Sequence, residues 1–153
     1  MSLETPDWAA SYIGIPFREH GRDRLGCDCW GLHRLVLGEQ LGFWLPSYAT
    51  TYAAAHDGAG VAATIKANGT GNPEWRAVPV GAEGPFDAVH MIGFRRGDDG
   101  RLRRHAMHVG TVIGGGWLLH VEAGINAALA DYRRRGVRNR VIGFYRHHDQ
   151  PDV

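Results

Sequence analysis

The chain has 153 residues, 44% of them hydrophobic and 22% charged, which suits one compact domain over residues 1–153 with a real core. With 17 basic and 16 acidic residues the net charge is +1, which excludes a strongly electrostatic nucleic-acid binder. No run approaches the roughly 20 apolar residues of a membrane-spanning helix, and two cysteines are too few for a disulfide framework.

In chain order, the first seven residues lack a basic region followed by an apolar run. The expectation is therefore no secretory signal, and synthesis and folding in a cytoplasm. Trp8, Ala9, Tyr12 and Ile13 suit a short amphipathic helix closed by Gly14 and Pro16. Phe17 to Leu25 is polar and charged and reads as a loop. Trp30 to Leu41 reads as a helix: Leu32, Leu35 and Val36 share one face, and Gly42 and Pro46 follow. Gly42 to Tyr52 is an aromatic-rich connection, Ala53 to Ala67 carries a moderate helix signal, and Asn68 to Pro73 is a turn.

The second half changes character. Trp75 to Val80, Ala88 to Phe94, Ala106 to Ile113, Trp117 to Glu122 and Val137 to Arg146 read as strands. They are separated by turn signals at Gly81–Pro85, Gly97–Gly100 and Gly114–Gly116. Gly124 to Tyr132 is a helical or extended excursion, and Asp149 to Val153 is expected to fray. Helices first and antiparallel strands afterwards give an α+β class. The arginine clusters at 101–104 and 133–135 read as solvated turns and helix ends.

The stretch Gly26-Cys27-Asp28-Cys29-Trp30-Gly31-Leu32 organises the rest. Asp28 is a good N-cap, so Cys29 falls in the first helical turn. Unpaired N–H groups and the positive end of the helix dipole favour an anion there, and a thiolate is one, so the expectation is a lowered thiol pKa. Cys27 lies one residue away, too near for a relaxed bridge, and reads as structural.

A nucleophilic cysteine needs a base, and the base needs an orienting group. Among nine histidines, His108 lies on the second of the paired strands and His120 ends the third. The turn at Gly114–Gly116 makes those strands antiparallel neighbours, so the two rings can meet. His105 forms His-x-x-His with His108, but the two point to opposite faces of a strand, which disfavours a metal pair. His33 stands one helical turn after Cys29 and reads as a surface histidine; His90 reads as a core or interface residue.

The order Asp-Cys-Trp-Gly-Leu, then His108-Val109-Gly110, then a glycine-rich turn and His120, resembles the NlpC/P60 family of cysteine peptidases. The resemblance implies a papain-like α+β fold, with N-terminal helices packed on a C-terminal antiparallel sheet. It implies Cys29 as nucleophile, His108 as base and His120 as third polar residue. It also implies peptidoglycan stem peptides as substrate, with no cofactor and no metal. Tyr12-Ile13-Gly14-Ile15-Pro16-Phe17 and Ile142-Gly143-Phe144-Tyr145-Arg146 look like the phage-tail branch of the family. That implies phage-like tail proteins as partners and incorporation in a tail particle; the near-neutral charge and the lack of a long apolar run give the expectation of neither nucleic acid nor membrane as a target.

The sequence departs from the family pattern in places. Trp30 stands where many members have Ser, and Phe86-Asp87 where Gly-Asp commonly opens the first sheet strand. The residues assigned to substrate contact are Asp28, Trp30 and Tyr12, with Trp44 and Tyr48 as further groove candidates; Asp28 is a cap first, and aromatics beside a helix are more often core. Three alternatives use the same residues: a structural tail-assembly module with an inactive or partner-gated site, a Cys27–Cys29–His108 metal site, and acyl transfer to an acceptor other than water.

Overall fold

A computed structural model describes residues 5–47 and 75–153. The expected helix at 53–67, the turn at 68–73, Tyr48 and Tyr52 lie outside the described residues.

The first helix, α1 (Asp7–Ala10), is shorter than expected. Turns carry the chain on to Gly14, whose φ of +95° suits a residue without Cβ. There Gly14 N–H donates to the Ala127 carbonyl and Ala127 N–H donates to Ile15, both at 2.8 Å. This exchange holds the segment against the sheet and leaves Ile13 exposed.

Where the sequence reads as a loop, the chain makes a small antiparallel ribbon, β1 (Arg22–Asp23) with β2 (Gly26–Cys27). Helix α2 (Cys29–Leu41) follows at once. Asp28 caps it by accepting from Gly31 N–H at 2.8 Å, and Gly42 closes it in the left-handed conformation at φ 68°.

Helix α2 is buried beyond its Leu32–Leu35–Val36 face. Trp30, His33, Leu37 and Gly38 are buried too. Residues 43–47 cover the far side: Trp30 Nε1 donates to the Pro46 carbonyl, Arg34 Nε donates to the Leu45 carbonyl, and the Trp44 ring lies over Gly38. A polar rear face on α2 was never needed, because an irregular segment covers it.

The remaining strands form one antiparallel sheet in the order β3-β8-β4-β5-β6-β7. They are β3 (Trp75–Val78), β4 (Ala88–Arg96), β5 (Leu102–Gly114), β6 (Trp117–Glu122), β7 (Ile125–Asp131) and β8 (Val141–His147). The excursion read as helical or extended at 124–132 is extended: β7 lies within it and pairs with β6. One correction to the sequence reading follows: the strand read from Val137 starts only at Val141, after a short helix, α3 (Arg135–Arg138). The tail is tied down through Gln150, which is buried and donates its amide to the Phe86 carbonyl.

Alternation divides the core. Leu119 and Tyr145 join the main cluster with Trp30, Leu32, Leu35 and Val36, while their neighbours Leu118 and Phe144 join a second cluster with Val89, Met91 and Val112. Phe86, in the turn before β4, has φ 75°, a conformation that favours glycine, and its ring packs tilted against Trp8 with centroids 4.6 Å apart. Beside it Asp87, fully buried, takes a bidentate ion pair from Arg146 on β8.

Gly31 sets how closely the 18–28 loop approaches α2. A Cβ there would stand 1.9 Å from the Gly21 carbonyl oxygen. Gly31→Ala is therefore expected to lower stability by about 3 kcal/mol or more, since the obstacle is backbone that cannot rotate away. Urea denaturation of the variant checks this.

Candidate active site

The site is built where α2 begins against the middle of β5. Asp28 is almost fully buried, with both oxygens engaged. Oδ1 accepts from Gly31 N–H and from Arg22 Nη1 at 2.7 Å; Oδ2 accepts from His20 N–H at 3.1 Å. The cap thus has a cation of its own, held in turn by the Ser47 carbonyl at 2.8 Å. The primary role read for Asp28, helix cap, is the one its geometry presents.

Cys29 is partly exposed. Its sulfur interacts with the backbone N–H groups of Trp30 and of Val109, the residue after His108. The helix start therefore meets β5 at the His108–Val109 step. One turn on, His33 Nδ1 lies 2.7 Å from Thr111 Oγ1.

The expected lowering of the thiol pKa is reversed. Burial pushes Cys29 up to about 12, and the Asp28 carboxylate adds to the rise; Val109 N–H, Trp30 N–H and Arg22 pull the other way. A helix N-terminus favours an anion by about 0.3–2 kcal/mol. Desolvation of a buried group can shift its pKa by up to about 3–5 units, a larger effect. His108 is pulled down to about 3 by burial first and the His120 ring second, against an opposing Glu122 carboxylate. The resting thiol and imidazole are both neutral near pH 7.

His108 and His120 do meet. His108 Nε2 lies 2.8 Å from His120 Nδ1, with the rings edge to face. Room for His108 comes from Gly93 on β4, where a Cβ would stand 2.8 Å from His108 Cβ.

Two partners were missed in the sequence. Glu122 Oε1 is 3.3 Å from His120 Nδ1 and 3.6 Å from His108 Nε2, and Arg140 Nη2 donates to the same oxygen. Burial pushes the Glu122 carboxyl up, but His120, His108 and Arg140 together hold it down to about 2. The signal for Glu122 was legible: it is two residues beyond His120, on the same strand face. For Arg140, which comes from the turn before β8, there was none.

Other expectations change. His33 is fully buried, because it faces β5, where its Nδ1 meets Thr111 Oγ1; burial takes its pKa down to about 3. Tyr12 is fully buried and donates its hydroxyl to Glu39 Oε1 at 2.7 Å. Trp30 is buried with its indole N–H on Pro46. Neither side chain presents a groove surface, since both fill the core around α2. Trp44 is half exposed and stacks with the Arg34 guanidinium. Cys27, fully buried, donates its thiol to the Asp23 carbonyl at 3.0 Å.

The donor atoms of His108, His120 and Glu122 lie within 4.8 Å of one another, the spacing of a small metal site. The arrangement is nonetheless that of a hydrogen-bonded chain. The facing nitrogens of the two imidazoles are 2.8 Å apart, and the Arg140 guanidinium donates to Glu122 Oε1. A second such group, His147, His148 and Asp149, stands at the end of β8.

No protein-family profile matches the sequence, and a search of curated proteins finds no match. Solved structures do match. An NlpC/P60 family protein from Bacillus cereus aligns over 96% of this chain and 41% of its own, with TM-score 0.58 and 19% identity. A similar-to-lipoprotein NLP/P60 family protein from Staphylococcus aureus aligns over 92% of this chain and 39% of its own, with TM-score 0.56 and 20% identity. The P60 domain of an antigen from M. avium subspecies paratuberculosis aligns over 91% of this chain and 88% of its own, with TM-score 0.52 and 17% identity. The chain has the fold of NlpC/P60 domains, α+β with a large antiparallel sheet. It spans about two fifths of the first two proteins and most of the third.

Alkylation of Cys29 by a small neutral reagent is expected to show its inflection above the free-cysteine value of about 8.5. Cys27 stays unlabelled in the folded protein. Mass mapping of labelled peptides across pH checks both.

The buried histidines also set an acid limit to stability. The folded chain keeps His33 neutral down to about pH 3, whereas an unfolded histidine binds a proton below its ordinary value of 6.5. The stabilisation is whole above pH 6.5 and is lost as pH falls towards 3. Denaturant midpoints are expected to drop between pH 7 and 5, with a shallower slope in His33→Gln.

Proposed function

We propose that this chain is a cysteine peptidase of the NlpC/P60 family that cleaves peptidoglycan stem peptides. The observation that carries the reading is the His108–His120 contact, one peptide unit from the backbone N–H that holds the Cys29 sulfur. A cysteine at a helix start beside a doubly imidazole-lined strand pair is the constellation of nucleophile, base and orienter. The Asp28-Cys29-Trp30-Gly31-Leu32 and His108-Val109-Gly110 motifs supply the substrate class through their likeness to the family.

In this mechanism His108 Nε2 is committed to His120, which leaves Nδ1 for the thiol. Because both groups rest neutral, proton transfer accompanies attack. Cys29 Sγ bonds to the peptide carbonyl carbon as its proton passes to His108, and the carbonyl oxygen takes the negative charge. Backbone N–H groups at the helix start, including that of Cys29, stabilise that oxyanion. The C–N bond then breaks as His108 returns the proton to the leaving amine. Water, deprotonated by His108, hydrolyses the thioester and restores the thiol.

The bond implied by the family likeness is a γ-D-glutamyl–diaminopimelate link. The flanking motifs at 12–17 and 142–146 extend the reading to a phage-like tail, where such an activity opens the wall during delivery of DNA.

Purified wall fragments are expected to release new amino termini with the native chain. Cys29→Ala and His108→Ala lower the rate at least about a thousandfold. Equal release by the native chain and Cys29→Ala removes the assignment.

A further inference from the structure

We propose that Glu122, anchored by Arg140, is a positioning residue for the His108–His120 pair and the counter-charge to the imidazolium formed when His108 takes the Cys29 proton. The inference rests on the cysteine-peptidase reading and deepens it.

Glu122 Oε1 stands beside the nitrogen–nitrogen bridge, 3.3 Å from one member and 3.6 Å from the other. A carboxylate there attracts whichever ring holds the extra proton, without accepting the proton itself. Its setting is built. Glu122 is 9% exposed, and the Arg140 guanidinium that holds it also donates from Nε to the Ile92 carbonyl at 2.8 Å and lies over the Phe94 ring. Strand, turn and ring thus fix the carboxylate from three directions. The oxygen Arg140 holds is the same one that faces the rings, so losing Arg140 frees the group most relevant to them.

The charged and titratable groups acting on His108 are His120 and Glu122 from β6, Arg140 from the turn before β8, and His90 from β4. Those acting on Cys29 are Asp28 and Arg22. Glu122 is the one anion in the first set, opposed by one cation. Removing each should therefore move the imidazole pair in opposite directions, whereas a bracing role for the Glu122–Arg140 pair would move neither.

The test is an NMR titration of the imidazole nitrogens, which needs no substrate, beside kinetics on a stem peptide. In Glu122→Gln the apparent pKa of the pair is expected to fall by about one unit, a tenfold change in proton affinity. In Arg140→Met it is expected to rise. On the peptide, kcat in Glu122→Gln falls about tenfold or more with KM within about threefold, and Glu122→Asp recovers most of the loss.

A folded Glu122→Gln protein whose pair titrates as in the native chain overturns the proposal. If Glu122→Gln does not fold, the titration of Arg140→Met decides in its place, and an unmoved titration there overturns the proposal as well. Loss of the peptidase reading shows separately, as absent turnover by the native chain; the titrations still report on Glu122.

Discussion

Helix α2 is fastened to β5 at two points one helical turn apart: the Cys29 sulfur at the Val109 N–H and His33 at Thr111. These contacts fix the azimuth of the helix as well as its position, because they leave the same face at successive turns. The cap adds a third constraint. Asp28 binds Gly31 N–H from one side and Arg22 from the other, so the incoming ribbon and the helix start move as one piece. Everything chemical in the site depends on this seating, since β5 carries His108 and its neighbour β6 carries His120 and Glu122.

Burial governs the electrostatics. The helix start offers the sulfur the Trp30 N–H and a partial positive charge, and β5 offers the Val109 N–H, yet burial outweighs them and pushes the thiol pKa up. Each buried carboxylate among the described residues has an arginine beside it. Glu122 has Arg140, Asp87 has Arg146 and Asp28 has Arg22. Three largely buried carboxylates among the described residues are paired in this way. Each pair joins segments distant in sequence or closes a loop on a helix, so the charges are spent as fasteners between elements.

Phe86 shows the same economy in the backbone. It occupies a left-handed conformation that a glycine would adopt without strain, and its ring gains a tilted contact with Trp8 and a place in the main core cluster. Asp87, next in line, anchors the first long strand to the last through Arg146. The turn that starts β4 is thus set by side-chain burial on both sides rather than by a conformationally permissive residue.

The local features were legible in the sequence. The Asp28 cap, the Gly42 stop, the β6 boundaries and the meeting of His108 with His120 follow from spacing and turn chemistry that act over a few residues. Much of what lies between long-range partners was not. His33 reads as a surface residue until β5 packs against it, and Tyr12 and Trp30 read as groove candidates until the core around α2 encloses them. Arg140 reaches Glu122 only because β8 inserts between β3 and β4 and brings the turn before it to that end of the sheet. Sequence alone determined the class of fold and the meeting of His108 with His120, since strand pattern and turn spacing encode local geometry. Tertiary structure decided protonation and the outer partners, because burial and charge pairing depend on which distant segments close over a residue.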